Sequence, residues 1–142
     1  MFLIISFLMS FYNNEPIYVK EFHELNSKKK ELEFIEKYHN NTDVSIIAYV
    51  VSIEMKQAKY KFFPWDKLKI FNDGKLKLEE LILDNPNNIH LRYVRLLIQE
   101  NTPSFLNYNS SIKKDKDFIN KLLLIEDSTD YLDKYILKNT SL

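Results

Sequence analysis

Arg92 and Arg95 are the only arginines in the chain; the other eighteen basic residues are lysines. They stand three residues apart inside the apolar stretch NIHLRYVRLLIQEN, residues 88–101. A guanidinium is a planar fork that grips a carboxylate with two parallel hydrogen bonds, which a lysine ammonium cannot do. At helical spacing Arg92, Arg95 and Gln99 share one face. Apolar residues flank that strip on both sides: Tyr93, Leu96 and Leu97 on one, Leu91, Val94 and Ile98 on the other. Two uses follow. In the first, an arginine pairs with a carboxylate between two packed helices and fixes their register. Glu54 is the expected partner, because it projects into the apolar arc of Ile47, Val50, Val51 and Ala58. An unpaired carboxylate there is costly. In the second use, one arginine stays free to bind an anionic group, such as a ligand carboxylate or a partner's C-terminus. Gln99, Tyr108 and Asn109 would then complete the site.

Other chemistries find little support. His23, His39 and His90 lack metal-ligand spacing, and cysteine is absent, so no metal or cofactor is expected. The carboxylate pairs Glu79-Glu80 and Asp115-x-Asp117 sit among lysines and read as solvated charge. No serine has a nucleophile's context. The single glycine, Gly74, rules out glycine-rich phosphate loops. Twenty basic residues balance twenty acidic ones, so the positive footprint of a nucleic-acid binder is missing. The run Lys28–Lys30 is followed by Glu31, Glu33 and Glu36 and reads as a solvated helix face. A non-enzymatic protein is expected.

The chain around the arginines is helical almost throughout. Tyr18, Phe22 and Leu25, then Leu32, Ile35 and Tyr38, recur at spacings of three and four. Asp43 caps the β-branched stretch VSIIAYVVSIEM, residues 44–55, which would also suit a strand but has no evident partner strand. Pro64 starts a helix that runs to Asp84 through Gly74, because Leu68, Phe71, Leu78 and Ile82 stay within about 80° of arc. Ser110 or Ser111 is expected to cap the next helix but one, and Ser128 the last. Trp65, Phe62 and Phe63 either plug a gap between helices or form a docking patch. The expected fold is all-α with about seven helices in a single domain over residues 13–138, followed by a frayed tail, 139–142.

Residues 2–11, FLIISFLMSF, are too short for a membrane span, which takes about 20 residues. Segment 1–12 is expected to be either a signal peptide or an apolar N-terminal helix. The first implies a periplasmic or secreted protein, the second a cytoplasmic one. No integral membrane span is expected.

Gly74, Leu78 and Leu81 stand twelve, eight and five residues before Pro86. This spacing resembles the second helix of a tetratricopeptide repeat, with DNPNN (84–88) as the turn between repeats. In the preceding helix Val44, Ile47, Ala48 and Val51 take the packing positions, with Ala48 as the small one. The resemblance covers residues 44–88 and continues over 89–125 as a looser helix–loop–helix echo. It implies antiparallel helical hairpins stacked in a short right-handed array that offers a concave surface to a protein or peptide. The expected function is therefore a protein-binding module. The alternative is a binder of a small molecule or anion, or a small enzyme, using Arg92, Arg95 and the 101–111 loop.

Overall fold

Short polar side chains set three of the seven α-helix starts in the computed structural model, which describes residues 14–142. Helix α1 (Ile17–His23) follows Pro16, and Ser27 caps α2 (Lys28–Tyr38) by accepting from Lys30 N–H at 3.3 Å. Asp43 caps α3 (Val44–Lys56) through Ser45 N–H at 2.8 Å. Pro64, whose missing N–H costs nothing in a first turn, opens α4 (Pro64–Asp84). Asn88 caps α5 (Ile89–Asn101) and also donates to Ser45 Oγ at 2.9 Å, tying α5 to the start of α3. Helices α6 (Ile112–Leu123) and α7 (Asp133–Asn139) complete the chain. The protein is all-α, with seven α-helices and no strand among the described residues. The β-branched stretch is helix α3, and α4 runs unbroken through Gly74, as the sequence periodicity requires.

Two caps differ from expectation. Ser111 flanks α6, but its side chain makes no capping bond. Ser128 does not cap the last helix. The Asp127 carboxylate, a stronger acceptor than a hydroxyl, instead takes the Thr129 N–H at 2.6 Å. A 3₁₀ turn, Asp130–Leu132, then delays α7 to Asp133.

Helix α5 is the centre of the molecule: nine of its 13 residues are buried, which leaves no solvated face to accommodate its arginines. It packs against α3, α4 and α6, while α3 in turn packs against α2 and α4. Leu91, Tyr93, Val94 and Leu96 of α5 meet Val51, Leu78 and Ile119 in one core. Each such aliphatic side chain contributes about 1.5–3 kcal/mol by leaving water. Gly74 allows α4 to approach α3: a Cβ there would lie 2.1 Å from Met55 Cγ.

Glu31 departs from the solvated face assigned to its segment. It is buried, with Lys56 Nζ 2.7 Å and Lys59 Nζ 3.6 Å from one oxygen and Gln57 donating to the other at 2.9 Å. That cluster ties α2 to the end of α3. At the other end of the chain, Ser141 N–H donates to Glu100 Oε2 at 3.0 Å, so the tail expected to fray is held against α5.

Residues 2–11, expected as a signal or an apolar first helix, lie outside the described residues. Among the described residues no helix is long and apolar enough to cross a membrane.

Candidate functional site

The arginine face of α5 turns toward α4 and α6. Arg95 donates from Nε to Asp115 Oδ2 at 2.7 Å and from Nη2 to Asp115 Oδ1 at 2.6 Å. Its remaining terminal nitrogen, Nη1, donates to Glu79 Oε2 on α4 at 2.8 Å. Arg92 donates from Nη1 to Asp115 Oδ1 at 2.8 Å and from Nε to the Pro86 carbonyl at 2.9 Å. Its guanidinium also lies over the Phe118 ring, 5.0 Å from the centroid. Tyr108 donates to the other Glu79 oxygen at 2.6 Å. Asp115 is 0% exposed, and the two guanidiniums supply the hydrogen-bonded, opposite-charge partners that a buried carboxylate needs. Burial works against the charge on Arg95, but Asp115 and Glu79 outweigh it and hold its pKa above the ordinary value. Burial, then the Glu79 carboxylate, push the Tyr108 hydroxyl up as well.

The expected pairing of Glu54 with the arginines is not what the structure contains. Glu54 is half-buried, and its carboxylate forms no ion pair or hydrogen bond among the described residues, the arginines pairing elsewhere. Helix α3 meets α5 through His90, whose Nδ1 is 2.9 Å from the Tyr49 hydroxyl. His90 lies about 160° around the helix from Arg92, so the arginine strip points away from α3. Asp115 and Glu79, assigned to solvated surface by the charge pattern, are the true partners. Asp115 carried a usable signal: it lies in the middle of the apolar arc formed by Ile112, Phe118, Ile119 and Leu122 on α6. Glu79 lies at the edge of the α4 apolar arc and carried less.

The expected ligand-binding set is divided. Gln99, Tyr108 and Asn109 line a cleft of about 560 Å³ with Glu100, Lys116 and Asn139. Neither arginine lines it. Gln99 Oε1 accepts the Ser111 N–H at 3.2 Å, which fixes the amide orientation and leaves Nε2 enclosed without a partner. Arg92 instead lines a separate cleft between α5 and α6.

A second polar group crosses the core. His90 Nε2 is 2.9 Å from the Tyr131 hydroxyl, so the ring bridges Tyr49 and Tyr131. Burial lowers the His90 pKa to about 4. His23 bonds the Val19 carbonyl at 2.7 Å and the Tyr93 hydroxyl at 2.8 Å, and stacks on Tyr135 with ring centroids 3.8 Å apart. Burial lowers its pKa too. Neutral rings suit both bridges, because one nitrogen then donates and the other accepts. No cluster of three or more potential metal ligands forms among the described residues.

The aromatic residues around the start of α4 do not plug a gap. Phe62 is 89% exposed and Trp65 65%, with Phe63 stacked on Trp65 at 4.6 Å. With exposed Leu68 they form an apolar shelf. Compared with known proteins, the chain matches no family model, no curated protein and no solved structure.

Proposed function

We propose that the chain is a non-enzymatic binding module of stacked helical hairpins, and that a protein or peptide docks on the shelf at the start of α4. The supporting observation is the exposure of Phe62, Phe63, Trp65 and Leu68 together. Contiguous exposed aromatics are unusual on a soluble surface and mark interaction sites. Aromatic side chains also dominate the energetics of protein interfaces. Capture of an anion at the 101–111 loop has less support, since Arg95 spends three nitrogens on carboxylates and neither arginine reaches that cleft.

Trp65 is the only tryptophan, so its emission reports on the shelf directly. Peptides selected from a random display library on the intact protein should shift that emission to the blue. They should lose binding to a Phe62→Ser variant whose urea midpoint is unchanged. Selected peptides that bind the variant as well, and leave Trp65 emission where it was, would show that the shelf is not the docking site.

A further inference from the structure

Arg92 uses its guanidinium differently from Arg95. Nε and Nη1 are occupied by Pro86 and Asp115, whereas Nη2 has no acceptor among the described residues. That nitrogen is not sealed in, because the one enclosed side-chain atom without a partner is Gln99 Nε2. Arg92 is only 6% exposed, and the opening left to it is the α5–α6 cleft that it lines, of about 550 Å³. A buried guanidinium with a free donor pair is thus aimed into a recess.

The charge around that recess is one-sided. Lys113, Lys114 and Lys121 line it with Arg92, against the single carboxylate of Asp117. Lys113 is held by Asp117 at 2.6 Å, while Lys114 and Lys121 have no carboxylate partner among the described residues. In a chain of zero net charge this is a local excess. Lys113 and Lys114 also occupy the first turn of α6, where the helix dipole favours anions and disfavours cations. An anion in the cleft would relieve both conflicts.

We propose that the α5–α6 cleft binds a small soluble organic phosphate, with Arg92 Nη2, Lys114 and Lys121 on the phosphate and Phe118 against the organic part. A phosphate monoester brings close to two negative charges and three acceptor oxygens, matching several donors at once. A carboxylate brings one charge, which a single guanidinium satisfies. The volume falls within the range of small-molecule sites, roughly 300–1,000 Å³.

The test uses phenyl phosphate as probe, with benzoate as the carboxylate control. The chain has two arginines, so their side-chain nitrogen NMR signals are readily told apart. Phenyl phosphate should shift the Arg92 signal saturably and leave Arg95 nearly still. The double variant Lys114→Gln/Lys121→Gln should bind roughly tenfold or more weakly, and Lys28→Gln/Lys29→Gln as well as wild type. Because all four lysines are exposed, neither variant depends on refolding the core. Benzoate binding as tight as phenyl phosphate, equal loss in both lysine variants, or no saturation would each overturn the proposal. So would binding to phosphatidic acid vesicles without binding of the soluble probe.

Discussion

Arg95 holds Asp115 with two parallel hydrogen bonds, Nε to Oδ2 at 2.7 Å and Nη2 to Oδ1 at 2.6 Å. The pair joins α5 to α6 side-on, and Arg92 braces the same carboxylate from one turn away at 2.8 Å. Only a guanidinium could do both jobs in so little space, since a lysine has no planar fork to lay along a carboxylate. The chain's exclusive use of arginine at these two positions has its reason there.

Asp115→Asn keeps the shape of the side chain and removes its charge. Arg95 would then keep Glu79 alone and Arg92 only the Pro86 carbonyl, and breaking one partner of a buried pair costs about 3–5 kcal/mol. The urea midpoint should fall steeply. Asp117→Asn, two residues on, breaks only the exposed pair with Lys113 and should change stability by no more than about 0.5 kcal/mol. Equal effects of the two substitutions would mean that the Asp115 network adds nothing beyond a surface pair.

Asp115 and Glu54 show what could be read from the sequence and what could not. The arginines stood out by residue type and by their apolar surroundings. Their partner did not, because both Glu54 and Asp115 lie on apolar arcs of their own helices, and local spacing cannot say which helix packs on which. That choice is tertiary: α5 gives His90 to α3 and its opposite side to α6. The helices themselves were legible, since capping residues and unbroken register across Gly74 are local properties. The exposure of Phe62 and Trp65 was not, because nothing local distinguishes an aromatic plug from an aromatic shelf.

Tyr108→Phe removes one donor to Glu79 and leaves the packing against Phe71 intact, where the rings meet edge to face at 5.9 Å. Glu79 keeps Arg95 and is partly open to water, which replaces the lost donor. The loss should be about 1 kcal/mol in chemical denaturation. A loss several times larger would show that Tyr108 positions the whole arginine network rather than its outer carboxylate.

Acid should destabilise the protein through His90 before most carboxylates protonate. Its pKa is about 4 in the fold and near 6.5 when unfolded, so the unfolded chain binds more protons between those values. Stability from this group is complete above pH 6.5 and is lost as pH falls toward 4, by roughly 3 kcal/mol in total. His23, also lowered by burial, acts with the same sign. His90→Gln keeps a donor and an acceptor but cannot titrate, so its urea midpoint should depend less on pH between 7 and 5 than the wild type's. Parallel pH profiles for the two proteins would remove His90 as the cause.

Gly74→Ala sets two effects against each other on α4. Alanine in a helix interior is favoured over glycine by about 1 kcal/mol. The new Cβ, however, would lie 2.1 Å from Met55 Cγ and 2.8 Å from its sulfur. Overpacking of this kind costs about 1–3 kcal/mol, even though a methionine can swing to another rotamer. Steric conflict should win, and the variant should be less stable by about 1 kcal/mol. The sign should reverse in a Met55→Ala background, where the space is open and the helix preference of alanine remains. The four-protein cycle measures that coupling by urea midpoint. If Gly74→Ala stabilises the wild-type background as much as the Met55→Ala one, α3 and α4 do not approach closely at Gly74. The glycine would then be tolerated in α4 rather than required by it.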